Sequence, residues 1–285
     1  MYTFFLLLNT VIWGSTFFII KGSVANIDPF MIVAGRSFVA VPVMFIVAYV
    51  YERNKIFEKA AIVRGAILGF LLATTYVSQT IGLKFTSSGH SAFITGAAVV
   101  MVPLLLRLYF KSRLSVVALV SVSIVTIGLF ILSFDLETNI NVGDAITLIT
   151  ALSYAHHLIF SGRFVKNTPL FTMVSYQFLF AGLFSGILYV FNDSSFVVPD
   201  SQGIYAILYL GLLGTLFCYF ISIWVQRYVS ATKVAVIFSL ESVFAAFFGF
   251  IMLGEILSIP EAIGALLVLI GTIVYQKFSH DGKIV

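Results

Sequence analysis

Charged residues are scarce in this chain. Only 10% of its 285 residues are Asp, Glu, Lys or Arg, whereas 60% are hydrophobic, and the mean hydropathy is +1.09. A soluble domain carries roughly 25% charged residues, because its surface must face water. The shortage of charge therefore excludes a water-soluble globular protein and predicts an integral membrane protein whose exterior faces lipid.

Cysteine is almost absent as well. The single residue, Cys218, excludes an intramolecular disulfide and any CxxC metal or redox motif. Neither a GxxxxGK[ST] nucleotide loop nor an HExxH zinc motif occurs in the sequence. The basic residues are scattered between apolar runs, so the pI of about 9.1 does not indicate a nucleic-acid surface. We predict no resident cofactor, no metal site and no nucleic-acid partner.

Long apolar runs fill the chain instead. A helix needs about 20 mostly apolar residues to cross a bilayer, and the runs show no sign of the ten-residue alternation of a membrane β-barrel. The N-terminal run lacks a basic segment and a cleavage site, so we expect it to be retained. The sequence predicts an all-α integral membrane protein with about ten spans, at residues 3–24, 30–51, 61–83, 88–108, 115–133, 142–162, 171–191, 203–225, 230–252 and 259–278.

The distribution of positive charge predicts the orientation. Cytoplasmic loops of membrane proteins are enriched in Lys and Arg. With the N-terminus in the cytoplasm, only Lys21, Arg36 and Lys84 lie toward the outside. The inner side then holds Arg53, Lys55, Lys59, Arg64, Arg107, Lys111, Arg113, Arg163, Lys166, Arg227, Lys233, Lys277 and Lys283. This bias predicts cytoplasmic termini in a bacterial inner (plasma) membrane, with residues 279–285 as a short cytoplasmic tail.

The two halves of the chain match at an offset of 143 residues. The pairs are Tyr76 with Tyr219, Lys84 with Arg227, Ser87 with Ser230, Ala92 with Ala235, Leu114 with Leu257, Ser115 with Ser258, and Gly128 with Gly271. We therefore expect two repeats, at residues 1–133 and 142–278. Five spans per repeat is an odd number, so the second repeat must be inverted. Inverted repeats with a midplane substrate site are a recurring design of secondary transporters.

Three segments resemble EamA-type members of the drug/metabolite transporter superfamily. They are Trp13-Gly14-Ser15-Thr16-Phe17 with Lys21; Phe85 to Gly96 (FTSSGHSAFITG) leading to Val102-Pro103-Leu104-Leu105; and Ser239 to Ala246 (SLESVFAA), followed by Leu253-Gly254-Glu255 and the stretch from Gly264 through Gly271. Each motif is short and apolar, so their ordered combination over nearly the whole chain carries the specificity.

The resemblance implies ten helices in two inverted five-helix repeats, alternating access, and export or exchange of small metabolites. It leaves the solute open, since the family handles amino acids, nucleosides, cofactors and drugs. Two positions depart from the family pattern. Ser242 stands where relatives often have Pro, which puts a kink in span nine in doubt. Lys111-Ser112-Arg113 replaces a common Gly-Glu-Arg, so Glu255 has no counterpart in the first repeat.

Glu241 is the first candidate functional residue. It lies eleven residues into a span, near the bilayer centre, where an ionised carboxylate costs about 2.5–3.5 kcal/mol or more. Such a group faces a partner or a wet cavity, and it is suited to carry a proton. The alternative is a neutral acid that holds two helices together by a hydrogen bond.

Span six carries a polar stripe. Its members are spaced 3, 4, 3 and 4 residues apart, so they share one helical face: Thr147, Thr150, Tyr154, His157 and Ser161. Such a face predicts a cavity lining or contacts with other helices instead of lipid. His156 points about 100° away, and no third ligand is spaced to make a metal site with the two histidines.

Other spans offer similar faces. Substrate contacts are predicted at Tyr76 and Gln79 in span three, at Tyr219 and Ser222, with Gln226, in span eight, and at Trp13, with Asn9 and Thr16, in span one. These aromatic side chains can stack on a flat or apolar solute, and the alternatives are interhelical packing or an interfacial belt.

Two basic residues lie toward the outer ends of spans one and two. Lys21 and Arg36 can extend to the lipid headgroups. The alternative is a gate, in which they close the outer side with an ion pair, with Asp28 as a candidate partner.

Together these features predict a secondary active transporter that moves a small metabolite (an amino acid, a nucleoside- or cofactor-like solute, or a drug-like compound) by proton-coupled transport or exchange. The predicted partners are the solute, protons and the bilayer. The alternatives are an intramembrane enzyme and a channel or scaffold. Against the enzyme, Asn141-Val142-Gly143-Asp144 lacks the GxGD motif of an aspartyl protease.

Overall fold

A computed structural model describes residues 1–133, 141–192, 199–254 and 258–279, and these ranges contain helices and no strands. The helices are α1 Tyr2–Ser23, α2 Pro29–Glu52, α3 Lys59–Phe85, α4 Ser88–Gly96, α5 Ala98–Phe110, α6 Val116–Ser133, α7 Val142–Phe164, α8 Leu170–Phe191, α9 Ser201–Tyr209, α10 Cys218–Val225, α11 Ala231–Phe238, α12 Leu240–Leu253 and α13 Ile259–Phe278. A 3₁₀ turn, Arg53–Lys55, follows α2, and a π-helical segment, Leu210–Phe217, joins α9 to α10.

The prediction of an all-α membrane protein with about ten spans is confirmed. Within the described ranges, nine helical runs are long and apolar enough to cross a membrane, and Val116–Leu132 is a shorter apolar helix. Three of the nine contain more than one α-helix: Ser88–Phe110 contains α4 and α5, Ser201–Val225 contains α9, the π segment and α10, and Ala231–Met252 contains α11 and most of α12.

Polar caps begin several of the helices. The Asp28 carboxylate accepts the backbone N–H of Phe30 at 2.8 Å, and Pro29 occupies the first helical position, where a missing N–H costs nothing. Asn141 and Asp144 form a reciprocal capping box at the start of α7. These side chains satisfy backbone donors that have no partner inside the helix.

The fourth and ninth crossings are interrupted at positions 142 residues apart, one residue short of the offset between the two halves. α4 passes into α5 at Ala97, and α11 passes into α12 at Ser239. Both residues keep right-handed backbone angles. At each break a backbone N–H donates to the carbonyl three residues earlier: Val100 to Ala97 at 3.0 Å, and Ser242 to Ser239 at 3.3 Å. The break therefore exists although position 242 holds Ser and not Pro. Its hydroxyl donates to the Ala92 carbonyl at 2.7 Å, which joins the two broken crossings.

The last crossing of each half packs tightly against the other. A Cβ at Gly128 in α6 would lie 2.7 Å from the Val268 nitrogen, and a Cβ at Gly271 in α13 would lie 2.7 Å from Cγ2 of Val125. Only glycine permits such an approach of two helices, and small residues are typical of interfaces inside membranes. Gly128 and Gly271 are one of the 143-residue pairs, and the two halves are inverted repeats, as predicted.

Candidate functional site

A small cavity lies between the two halves. Its walls combine α1, α3 and α4 of the first half with α7, α10 and α12 of the second. The lining residues, which define the central cavity, are Trp13, Thr16, Thr75, Tyr76, Gln79, Thr95, Tyr154, Tyr219 and Glu241. Its free volume is about 20 Å³, enough for one water molecule and far below the size of a metabolite pocket. This cavity is therefore too small to hold a metabolite as it stands.

Four of the nine lining residues are aromatic. The Trp13 indole meets Tyr154, Tyr219 and Phe238 edge-on, with ring centroids 5.9, 5.2 and 4.8 Å away. Tyr76 and Tyr219 are also edge-to-face at 5.6 Å. Edge-to-face pairs are favourable because the positive edge of one ring faces the negative face of the other. The arrangement offers ring edges and faces to an apolar or flat solute.

The π segment orients two of these rings. Its Gly214 carbonyl accepts the Trp13 indole N–H at 2.8 Å and the Tyr76 hydroxyl at 3.1 Å. Within the segment the Thr215 hydroxyl donates to the Leu210 carbonyl at 2.8 Å. π turns inside α-helices are rare and occur frequently at functional sites. The apolar run of this span has no periodic signal for a wider turn, so the sequence did not predict the π segment.

Arg36 points into the protein and not toward lipid. Its side chain is 1% exposed. Its Nε donates to the Thr215 hydroxyl at 2.9 Å, and its guanidinium carbon lies 3.7 Å from the centre of the Tyr76 ring. The expectation that Arg36 extends to the headgroups is wrong, because α2 turns this residue toward the π segment. A charge placed several residues inside an apolar span was the available sequence signal. Its role in a gate stays a prediction.

Lys21 bonds to backbone within the bundle. Its ammonium group donates to the carbonyls of Leu83 and Thr86 at 2.7 and 2.8 Å, where α3 ends. A cation is favourable there because the last carbonyls of a helix carry partial negative charge. The Thr86 hydroxyl in turn donates to Asp144 at 2.6 Å. Lys21 therefore ties α1 to α3, and Thr86 ties α3 to α7, at the end of the bundle predicted to face outward; a gating role for Lys21 stays a prediction.

Glu241 lies at the second position of α12, directly after the break at Ser239. Its side chain is 8% exposed and has no hydrogen-bond partner among the described residues. It lines the central cavity and also a neighbouring one of about 10 Å³ between the two broken crossings, where it adjoins Thr95, Tyr154 and Ser242. Glu241 is therefore the carboxyl group that faces the cavity from the second half.

The polar stripe of α7 divides between two environments. Tyr154 lines the cavity, whereas the other members contact neighbouring helices. Thr150 bonds to Ser78 at 2.8 Å, His157 to Gln177 at 3.1 Å, and Ser161 to Gln226 at 3.1 Å. His157 and Ser222 are each 1% exposed and are not among the lining residues. Contact of these two with a substrate stays a prediction, and Tyr219 stands edge-on to His157 at 5.0 Å.

We expect Tyr154→Phe to weaken solute binding by about tenfold and to leave thermal stability near that of the parent. The Tyr154 hydroxyl is buried without a hydrogen-bond partner among the described residues, so folding does not depend on it. His157→Ala should instead lower stability by roughly 1–3 kcal/mol, since it leaves Gln177 unpaired. Thermal unfolding with and without a stabilising solute measures the stability and the solute binding of each variant. A destabilised Tyr154→Phe protein, or a His157→Ala protein altered only in binding, would contradict this division.

Comparisons with known proteins agree with this architecture. A sequence model of the EamA-like transporter family matches residues 1–134 and again residues 141–275. Similar chains are an uncharacterized transporter of Archaeoglobus fulgidus, 27% identical over 94% of this chain and 83% of its own length, and the uncharacterized transporter YoaV of Bacillus subtilis, 24% identical over 92% of each chain. A solved crystal structure superposes with a TM-score of 0.78 at 14% identity, and the match covers 94% of both chains. That likeness concerns the fold alone.

Proposed function

Because the chain belongs to the EamA-like transporter family, we propose that it is a secondary active transporter that moves one small organic solute by alternating access. The observation that carries this proposal is the central cavity, to which both inverted halves contribute wall residues. A site between inverted repeats becomes accessible from either side when one half rocks against the other. The cavity is lined by aromatic and hydroxyl groups, which suits reversible binding of a small solute.

The interrupted crossings supply the moving parts of this proposal. Ala97 and Ser239 each join two half-helices beside the cavity, and a cavity of about 20 Å³ must widen before a metabolite enters. A bend at each break widens the cavity without unfolding either crossing, since few residues need to change their backbone angles. The pairing of Ser242 with the Ala92 carbonyl couples the two bends.

Proton coupling is proposed through Glu241. The carboxyl group faces the cavity, and no described cation pairs with it within 4.0 Å. An unpaired carboxylate at membrane depth is costly, whereas the same group is readily ionised once water enters. Proton movement is linked to alternating access when the free energy of protonating Glu241 differs between the two states. Exchange of one solute for another is the second mode that this site allows.

Proteoliposomes test the proposed function. A metabolite library is first screened for compounds that raise the thermal stability of the purified protein, since a ligand of the folded state stabilises it by mass action. The radiolabelled hit is then measured in counterflow. Saturable counterflow without chemical change of the solute is expected. Conversion of the solute would favour an intramembrane enzyme, and a non-saturable flux would favour a channel; either would overturn the proposal.

The chain is a multi-pass membrane protein, and we propose the bacterial inner membrane as its location, with both termini in the cytoplasm. Residues 1–133 and 142–278 are proposed as the two repeats, and 279–285 as a cytoplasmic tail. The support is the charge bias of the connecting segments.

Single-cysteine labelling checks this orientation. On a Cys218→Ala background, Lys55→Cys and Lys166→Cys should react with an impermeant maleimide only from the cytoplasmic side, and Asn26→Cys only from outside. All three side chains are exposed, so accessibility to the reagent is set by the side of the membrane. Cys218 itself is 0% exposed, and the unsubstituted parent serves as the background control. The reverse labelling pattern would contradict the orientation.

A further inference from the structure

Arg36 is a buried cation whose charge is only partly compensated. Thr215 accepts one hydrogen bond, and the Tyr76 ring lies beneath the guanidinium. The two terminal nitrogens, Nη1 and Nη2, have no hydrogen-bond partner among the described residues. No carboxylate oxygen in that part of the chain lies within 4.0 Å of the group. A buried charge normally has an ion partner, because removal from water is costly.

The terminal nitrogens lie next to the central cavity. A Cβ built on Gly214 would be 2.9 Å from Nη2 of Arg36 and 3.0 Å from Cγ2 of Thr16. Thr16 and Tyr76, which flank the guanidinium, both line the cavity. Glycine at position 214 therefore lets the guanidinium lie close to the backbone of the π segment, in space that a Cβ would need. Two parallel N–H donors match the two oxygens of a carboxylate.

We propose that Arg36 binds the anionic group of the transported solute, so that the solute is an organic carboxylate with an aromatic or apolar body. The inference deepens the proposed transport function and rests on it. Arg36 is not itself a lining residue in this structure, so the solute reaches it only once the cavity has widened. It brings a single positive charge, and the lining residues include no Lys or Arg, which favours a monoanion over a phosphate dianion. The Trp13, Tyr154 and Tyr219 rings receive the apolar body on the other side.

Trp13 provides the readout for a direct test. The chain has two tryptophans, and Trp224 packs on Tyr2, away from the lining residues. In a Trp224→Phe background, fluorescence therefore reports on the cavity. Three probes of one shape are titrated: 3-phenylpropionate, 3-phenylpropionamide and 3-phenylpropylamine. The carboxylate should bind at least about tenfold more tightly than the amide, and the amine should bind most weakly.

Variants separate charge recognition from folding. Arg36→Gln should abolish the preference for the acid and keep the affinity for the amide, whereas Arg36→Lys should retain part of the preference. Arg107→Gln removes one exposed charge at the end of α5 and should leave all three affinities unchanged. If Arg36→Gln does not fold, the ranking of the probes on the parent protein decides alone.

Several outcomes would overturn the anion site: equal binding of acid and amide, tighter binding of the amine, an acid preference that survives in Arg36→Gln, or no binding of any probe. Counterflow separates these failures from failure of transport. Saturable counterflow of a neutral or cationic solute would support the proposed transport function and contradict the anion site. Absence of saturable counterflow for every thermal-shift hit would contradict the proposed transport function itself.

Discussion

Glu241→Gln is expected to retain solute exchange and to lose accumulation driven by a pH gradient. Glutamine keeps the size of the side chain and most of its hydrogen-bonding capacity, but it cannot bind or release a proton. Exchange between two loaded compartments needs only alternation of the loaded protein, so it should continue near the parent rate. Accumulation should fall to the level of passive equilibration, because the proton gradient no longer biases the two states.

The surroundings of Glu241 make it the residue to test. The groups that face it across the two small cavities are the phenol of Tyr154 and the hydroxyls of Thr95 and Ser242, and Tyr219 and Tyr76 complete the wall. Arg36 lies beyond Tyr76 and forms no ion pair with Glu241 within 4.0 Å. Removal of this carboxyl group therefore breaks no described hydrogen bond and should leave the fold intact.

Uptake into proteoliposomes with an imposed pH gradient, beside exchange at equal pH, measures the two activities. Glu58→Gln is the matched control, since Glu58 precedes α3 near the predicted cytoplasmic surface and makes no side-chain capping bond. A Glu241→Gln protein that still accumulates solute on a proton gradient would remove Glu241 from the coupling mechanism. A protein that loses exchange and accumulation together would assign Glu241 to binding or to folding instead.

Gly264→Ala is expected to destabilise the protein by roughly 1–3 kcal/mol. A Cβ at this position would overlap the backbone nitrogen of Leu132 and lie 2.6 Å from the Gly128 carbonyl oxygen. These are backbone atoms, which cannot rotate away, so α6 and α13 must separate along their contact. Lost packing is costly inside a membrane, where no hydrophobic driving force holds two helices together.

Gly22→Ala is the matched control for this contact. A Cβ at Gly22, near the end of α1, meets no atom within 4 Å. Alanine is also the better helix former by about 1 kcal/mol, so Gly22→Ala should be neutral or slightly stabilising. Thermal unfolding of the purified proteins in one detergent compares them. Equal unfolding temperatures of the two variants would show that the α6–α13 contact does not limit stability.

The sequence predicted the helices of this protein better than it predicted which residues of different helices contact one another. Length and apolar composition determine a membrane helix almost alone, and the ten spans follow from them. Six residues proposed for the site do meet at the central cavity: Trp13, Tyr76, Gln79, Tyr154, Tyr219 and Glu241. Their common property is a polar or aromatic group at mid-span depth, which the position along the helix gives directly.

The remaining residues show what helical spacing cannot reveal. Spacing placed His157 and Tyr154 on one face of α7, but a face about 100° wide touches two neighbours, and His157 turned toward Gln177 of α8. The prediction for Arg36 rested on its position toward the outer end of span two. The direction of its side chain depends instead on the space beside Gly214, in a crossing that is distant in sequence. Such long-range contacts leave no local pattern in the sequence.

The wide turn at Leu210–Phe217 makes the cavity wall depend on chain length as well as on residue type. A π turn holds one residue more than an α turn, and one residue corresponds to about 100° around an α-helix. Loss of a single residue in this stretch would rotate the rest of the crossing, so Tyr219 would leave the wall without being substituted. A deletion inside this span would therefore change the cavity wall although every lining residue kept its identity.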